Sequence, residues 1–344
     1  MAIIFSGTKL PQTEIEEIQR EIYADWGTFR DGDVTINEGH KSGAEVYESK
    51  VDINMKQYDS GEVTAGSDEL IVERSVVNLT KIQFSDRVDY NVLLDTRFER
   101  SMANGAFNIV SSEFDNKVLQ QISPSIAQTM ESVTWDGATA THQSAIAALS
   151  AGAGQGSISA GAQSLVSAMP TNLVNSLPAI ILYNDSESKA SPGEGLGDYK
   201  KVLSISSITS SSIADEYAKL FATLDPKVLA NEEVIIYAPL AHRQLMMIAN
   251  NSVGAASNQN FVFSGDGMDA KAYYNGIEVK FKPLVGFMIA SPPKYLHILM
   301  DLASDMSELK TGEVANGADK QWYKNVQAYA TWCTNQRYIT LYGG

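Results

Sequence analysis

The strongest periodic pattern in the chain is helical and covers residues 112–134. Ser112 is placed to cap a helix, with Asp115 three residues later. Apolar residues then recur every three or four positions as Phe114, Val118, Ile122, Ile126, Met130 and Val133. Pro124 removes one backbone hydrogen bond, but the period continues on both sides of it, so we expect a bend instead of a break. The pattern predicts one long helix with a buried apolar seam.

An alternating pattern predicts a long β-hairpin over residues 44–85. Turn-forming residues at 58–61 and 65–67 separate two runs in which apolar and polar positions alternate. The apolar positions that we assign to one face of this hairpin are Val51, Ile53, Met55, Val72 and Val76. A two-stranded ribbon is marginally stable alone, so this face is expected to lie on something else.

The amino-terminal region predicts a helix followed by an arm. Residues 13–26 have a helical period, and residues 29–43 contain turn formers without any period, which indicates an extended segment with little to bury. Residues 138–169 are rich in Ala, Gly and Ser and predict a mobile connection with one short helix.

The carboxyl-terminal half predicts an α+β region. Residues 179–183 and 234–237 are expected to be buried strands, and helices are expected to begin at Ser212 and at Pro239. Asn275-Gly276 is a strong turn dipeptide and predicts a half-buried hairpin. The remaining predicted strands cover residues 296–300, 326–332 and 338–342, with a polar loop at residues 304–321.

Composition and charge then narrow the class of protein. The 344 residues include 26 Lys and Arg against 41 Asp and Glu, a net charge of −15, which disfavours a dedicated nucleic-acid-binding protein. No apolar run approaches the roughly 20 residues of a membrane helix, and the first residues do not resemble a signal peptide, so no membrane partner is expected. Cys333 is the single cysteine, which excludes an intrachain disulfide.

No catalytic, cofactor-binding or metal-binding motif emerges. The glycine clusters at 152–156 and 193–197 lack the flanking strand and helix that a phosphate loop requires. The four histidines are far apart in sequence and are expected to be surface or half-buried residues: His40, His142, His242 and His297. Cys333 is expected to be a small core residue. We therefore predict no cofactor and a structural protein rather than an enzyme.

The order of these elements resembles the major capsid protein of tailed bacteriophages, which has the Hong Kong 97-like fold. The resemblance is carried by the hairpin, by the long helix ending at Trp135-Asp136-Gly137, and by the tail from Tyr295 to Tyr342. It covers nearly the whole chain in order, although no short motif is diagnostic. The fold class that it implies is α+β.

The resemblance implies a division of the chain. It places an N-terminal arm at 1–43, the hairpin called the E-loop at 44–85, a peripheral domain with the spine helix at 86–176, an axial domain at 177–292, and strands at 293–344 that return to the peripheral domain. The apolar hairpin face would then contact a neighbouring subunit, and the helix seam would form the peripheral core.

The implied function is self-assembly, as hexamers and pentamers, into an icosahedral head shell around double-stranded DNA. The implied partners are the chain itself, portal, scaffolding and decoration proteins, and packaged DNA that is enclosed without sequence-specific binding. The implied location is the virion, with assembly in the bacterial host cytoplasm. Three alternatives stay open: an encapsulin-type nanocompartment shell protein, a β-rich virion surface or tail protein, and an enzyme with a Gly-rich lid.

Overall fold

The computed structural model describes residues 26–52, 69–89, 112–148, 150–151, 157–158, 160–186, 200–203, 208–252, 261–265, 270–301, 309–313, 320–335 and 338–343. The helices in these ranges are α1 (Gly27–Arg30), α2 (Ser112–Trp135), α3 (Ala140–Ala147), α4 (Ala160–Ala168), α5 (Leu177–Ser186), α6 (Ile213–Thr223), α7 (Pro226–Asn231) and α8 (Leu240–Ser252). The predicted helix at residues 13–26 lies almost wholly outside the described residues.

The strands in the same ranges divide among four sheets. They are β1 (Thr35–Asn37), β2 (Gly43–Asp52), β3 (Glu69–Asn78), β4 (Thr80–Asp89), β5 (Ser150–Ala151), β6 (Ser157–Ile158), β7 (Lys200–Leu203), β8 (Ile235–Pro239), β9 (Phe261–Ser264), β10 (Lys271–Tyr274), β11 (Ile277–Lys282), β12 (Phe287–Ser291), β13 (Leu296–Met300), β14 (Leu309–Glu313), β15 (Lys320–Cys333) and β16 (Thr340–Gly343). A five-stranded sheet contains β1, β13, β15, β14 and β4, and a seven-stranded sheet has the order β7-β16-β12-β8-β11-β10-β9. The strands β2 and β3 form a hairpin, and β5 and β6 a small parallel pair.

The first of two compact units contains most of α2 and of the five-stranded sheet. Its residues are 1–42, 79–133 and 298–330. Trp26 is fully buried, stacks on Phe29 with ring centroids 5.8 Å apart, and lies 6.5 Å from the ring of Tyr329. The Glu131 carboxylate on α2 accepts a hydrogen bond of 2.8 Å from the Thr28 backbone N–H. These contacts attach α1 to the core of this unit.

The part of the arm that the structure describes therefore differs from the prediction. Residues 29–43 were expected to be extended with little to bury, yet Asp33 and Val34 are buried. The Gly39 N–H donates to the Asp301 carbonyl at 2.6 Å, which joins the end of the arm to the end of β13. Contacts with residues distant in sequence hold this part of the arm in place, and such contacts leave no periodic pattern in the arm itself.

The second unit is built on the seven-stranded sheet. It contains residues 43–78, 134–297 and 331–344. The buried rings of Tyr217 and Phe261 meet edge to face at 5.3 Å, and Tyr274 lies 5.6 Å from Tyr217. The predicted turn at Asn275-Gly276 joins β10 to β11, and both of its residues have positive φ, 48° and 84°, as a type I′ turn requires.

Two predictions of local structure in this unit are wrong. Residues 179–183 belong to helix α5, not to a strand. Every residue from Leu177 to Leu182 is buried, and an apolar run without a polar face carries no period that separates a buried helix from a buried strand. The predicted connection at 138–169 contains both α3 and α4.

Strand partners also differ from the prediction in three places. The hairpin pairing ends at Asn78, and residues 80–89 pair with residues 320–329 of β15 instead. The predicted polar loop at 304–321 contains β14, which pairs with β15 although residues 309–313 do not alternate. The strand β16 lies between β12 and β7 in the seven-stranded sheet and does not join the five-stranded sheet. Local period reports a strand but not its partner.

Candidate assembly surface

The hairpin of β2 and β3 is a regular antiparallel pair of ten residues on each strand. Its register runs from Gly43 opposite Asn78 to Asp52 opposite Glu69. Because side chains alternate between the faces of a strand, this register assigns positions 51, 72 and 76 to the same face. That these positions form an apolar face that contacts a neighbouring subunit stays a prediction.

The two faces near the base of the hairpin differ in exposure. Ala44 and Val77 are opposite each other and are 1% and 7% exposed. On the other face, Tyr47 and Val76 are 61% and 59% exposed. One face is therefore already covered within the chain, and the other presents an aromatic ring and a branched aliphatic side chain to solvent.

Polar interactions organise this exposed face. The Tyr47 hydroxyl donates a hydrogen bond of 2.6 Å to Glu45, and the Arg74 guanidinium forms an ion pair with the same carboxylate. The hydrogen bond from Tyr47, with help from the charge of Arg74, holds the pKa of Glu45 below its ordinary value. The same hydrogen bond raises the pKa of Tyr47. The carboxylate is thus held ionised, between the two side chains that flank it.

The structure describes the strand pairing of three of the five predicted hairpin residues. Position 51 pairs with Leu70, position 72 pairs with Ser49, and Val76 pairs with Glu45. Ile53 and Met55 lie outside the described residues. Tyr47 is not among the predicted residues, although it has the same parity along β2 as position 51 and therefore lies on the same face.

The seam of helix α2 is buried where its side chains are described. Ile126 is 4% exposed and Met130 is fully buried, while Val133 is half-buried. The amide of Gln327 on β15 donates to the Met130 sulfur at 3.6 Å, which joins the seam to the five-stranded sheet. The helix continues through Pro124. The side chains of Phe114, Val118 and Ile122 lie outside the described residues.

Two of the four histidines are less exposed than expected, whereas His40 and His297 are half-buried. His142 and His242 are 8% and 7% exposed. The His142 ring contacts the Ala179 carbonyl through Nε2 at 3.0 Å, so Nε2 carries the proton and Nδ1 accepts from the Asn175 amide at 3.3 Å. His297 contacts the hydroxyl of Thr334 at 2.8 Å. These rings have structural hydrogen bonds within the second unit.

Other candidate chemistry occupies ordinary positions. Cys333 is fully buried, as a core residue would be. Among the residues that the structure describes, no three His, Cys, Asp or Glu side chains are grouped closely enough to hold a metal ion. In those same ranges, no helix has the length and the apolar character needed to cross a membrane.

Comparison with solved structures identifies the fold. A chain of the structure titled "Satellite phage P4 procapsid including size determination (Sid) protein" is 10% identical, with a TM-score of 0.50 over 97% of this chain and 99% of that one. A chain of the "Capsid of native GTA particle computed with C5 symmetry" is 12% identical, with a TM-score of 0.48 over 100% of this chain and 93% of that one. A virus-like particle from Pyrococcus furiosus gives 7% identity and a TM-score of 0.46 over 95% and 98%.

The fold conclusion depends on the first of these structures. No protein-family model matches the sequence, and no curated protein matches it. The similarity to the P4 procapsid chain covers almost the full length of both chains. The predicted α+β fold is confirmed: this chain has the fold of a phage capsid chain.

Proposed function

We propose that the chain is a structural shell protein that assembles with copies of itself into the closed icosahedral head of a tailed bacteriophage. The observation that carries this proposal is the end-to-end similarity of fold to a procapsid chain. Fold alone does not specify function. The proposal therefore also depends on the surface that the hairpin presents.

The hairpin supports assembly on physical grounds. A two-stranded ribbon with one solvent face gains little stability from its own residues. Its exposed face holds Tyr47 and Val76, which are both more than half exposed in the single chain. Burial of apolar area against a neighbour is worth about 25 cal/mol per Å², so a second subunit laid over this face would stabilise both partners. We assign the intersubunit role to this face, including positions 51, 53, 55 and 72.

The net charge of −15 fits a container for DNA. A shell protein with a net negative charge repels the phosphate backbone, so DNA would be enclosed without tight or sequence-specific binding. Under this proposal the protein has no enzymatic role, resides in the virion capsid, and assembles in the host cytoplasm. Portal, scaffolding and decoration proteins would be its further partners. The unit with helix α2 would be the peripheral domain and the unit with the seven-stranded sheet the axial domain.

The test removes the outer part of the hairpin and leaves helix α2 and the two large sheets unchanged in sequence. Residues 50–71 are replaced by an Asn-Gly turn, which joins Ser49 to Val72 at a position where they already pair. We expect soluble protein with near-native circular dichroism that no longer forms large particles in sedimentation velocity. The matched control replaces only residues 57–65 with a Gly-Ser linker of equal length and tests whether the paired strands or the tip are required.

Two outcomes would contradict the proposal. One is a wild-type protein that stays monomeric at every concentration, and the other is a shortened hairpin that still closes into shells. Electron microscopy of particles from the native source separates the phage head from the nanocompartment. Packaged DNA identifies a head, whereas an enclosed cargo protein identifies an encapsulin-type shell.

A further inference from the structure

One face of the five-stranded sheet is exposed, and the backbone register defines which positions belong to it. Along β4, Lys81 and Gln83 are exposed, whereas Ile82 between them is buried. Along β15, Val326 is 41% exposed, whereas Gln327 is buried. The register pairs Gln83 with Val326, so the exposed residues of the two strands share one face of the sheet.

Every cation of strands β4, β14 and β15 has the register of this exposed face. The pairing of these strands puts Lys310 opposite Lys324, and it puts Asp89 opposite Lys320. We call the charged positions of this face the basic sheet face, and they are Lys81, Arg87, Asp89, Lys310, Lys320 and Lys324. Five cations and one carboxylate give the basic sheet face a local charge of +4, whereas the whole chain has a net charge of −15.

This arrangement of cations is unfavourable in a free subunit. Lys310 and Lys324 are directly opposite on antiparallel strands, and like charges in that position destabilise a sheet. Among the described residues, no ion pair involves Lys81 or Lys324. Positions on one face of a strand follow each other at about 7 Å, and neighbouring strands are about 5 Å apart, so the cations form a closely spaced array. A partner with several negative charges at short spacing would relieve this repulsion.

A phosphate backbone fits the basic sheet face better than a protein surface does. Interfaces between proteins are depleted of lysine, whereas interfaces with DNA are strongly positive. Four of the five cations are lysines, whose ammonium groups bind phosphate as point charges. The acidity of the rest of the chain does not prevent this contact, because salt at about 0.1 M screens exposed charges that lie more than about 10 Å apart.

We propose that the basic sheet face binds the phosphate backbone of the enclosed DNA, weakly and without reading its sequence. The inference rests on the proposed function, because a head shell supplies the DNA. It adds that this face of the unit with helix α2 lies on the inner wall of the shell. Contacts to phosphate carry no sequence information, so a few of them per subunit allow DNA of any sequence to lie against the wall.

The first test measures how salt affects the binding of full-length subunits to a short fluorescent DNA duplex. The logarithm of the affinity falls with the logarithm of the salt concentration by about 0.9 for each phosphate that is neutralised. We expect Lys81→Gln with Lys324→Gln to make this slope shallower by about two. Lys81→Arg with Lys324→Arg keeps both charges and should keep the slope. Circular dichroism checks that each variant is folded.

A matched control separates the face from the net charge. Lys41→Gln with Lys227→Gln removes the same two charges at exposed lysines outside the sheet, and it should leave the slope at the wild-type value. An equal change of slope in the two glutamine pairs would overturn the proposal, because the binding would then depend on the net charge alone.

The second test uses assembled particles and distinguishes DNA from a neighbouring subunit. Acetylation of Lys81 by a small reagent is followed by mass spectrometry in DNA-filled particles, in emptied particles and in dissociated subunits. We expect Lys81 to be protected only in the DNA-filled particles. Protection that persists in emptied particles would show that an acidic surface of another copy covers the face, and it would overturn the DNA contact. Equal reactivity in all three samples would overturn it as well.

The outcomes separate this inference from the proposed function. Shells that form while DNA never protects Lys81 would overturn the DNA contact and leave the shell function standing. A wild type that forms no shell, but whose duplex binding is weakened only in the Lys81 and Lys324 glutamine pair, would overturn the shell function and support a phosphate-binding face. A protein that neither assembles nor binds the duplex would overturn both.

Discussion

Acidification should destabilise the folded subunit through its buried histidines, and His242 is the clearest case. The ring lies on the core side of α8, and its Nδ1 is 3.2 Å from the hydroxyl of Tyr217, which is fully buried. With the hydroxyl donating, Nδ1 accepts, and the neutral ring carries its proton on Nε2. Burial lowers the pKa of His242 from 6.5 to about 4.

The sign and size follow from proton linkage. Above pH 6.5 the ring is neutral in both the folded and the unfolded state, so it has no effect on the pH dependence of stability. As pH falls below 6.5, His242 binds a proton in the unfolded chain. In the folded chain it does so only near its pKa of about 4. This difference in proton binding lowers the free energy of unfolding by about 2 kcal/mol at pH 5 and about 3 kcal/mol below pH 4. Burial also lowers the pKa of His297 to about 4, so the two rings act together.

The measurement is urea unfolding of dilute protein at pH 7.5, 6 and 5, followed by circular dichroism. His242→Asn keeps an oxygen that can accept the Tyr217 hydrogen bond but cannot titrate. We expect this variant to lose about 2 kcal/mol less than the wild type between pH 7.5 and pH 5. Leu220→Ala, which also alters the buried core of this unit, is the control and should lower stability by the same amount at every pH.

An unchanged pH dependence in His242→Asn would refute the reasoning. It would mean either that the ring is solvated in the free subunit or that it is charged in the fold. A His242→Asn variant that becomes more sensitive to acid than the wild type would contradict the sign as well as the size.

Two further predictions concern packing. Gly137→Ala should lower the melting temperature much more than Gly276→Ala: both have positive φ, 99° and 84°, but only at Gly137 would a Cβ meet another group, 2.0 Å from the Asn172 amide nitrogen. Equal losses in thermal melts would contradict the close approach. Met130→Asp should prevent folding of the spine-helix unit, since a buried unpaired carboxylate costs several kcal/mol, whereas Val326→Asp, 41% exposed on β15, should be tolerated in soluble expression and circular dichroism. Soluble, cooperatively folded Met130→Asp protein would show that the seam is not a core.

The elements that the sequence predicts well are those whose signal is local. The seam residues Ile126 and Met130 recur at helical spacing because one side of the helix is buried. Asn275-Gly276 specifies a turn type through backbone angles that few other residues adopt. In both cases the structure is determined by residues that are close in sequence, so it can be predicted from the sequence alone.

The elements that it predicts badly depend on distant partners. Residues 177–182 of helix α5 are all apolar and buried, so this part of the pattern has no polar face from which a helical period could be recognised. Residues 309–313 become strand β14 because β15 offers hydrogen bonds along its edge, not because they alternate. Residues 80–89 follow β3 after a single residue and yet pair with another strand.

Assembly surfaces raise a harder problem of the same kind, and the adjacent valines of β3 show why. Val76 and Val77 are equally apolar and point to opposite faces of the hairpin, so alternation can separate them but cannot say which one the subunit buries. Within the chain, Val77 is 7% exposed and Val76 is 59% exposed. Helix α8 repeats the case, since Met246 is buried and its neighbour Met247 is 42% exposed. A sequence selected for assembly must satisfy two cores, one inside the subunit and one between subunits, with the same residue types. Apolar residues that are buried between subunits can be recognised only after those buried within the subunit are known, and this requires the fold.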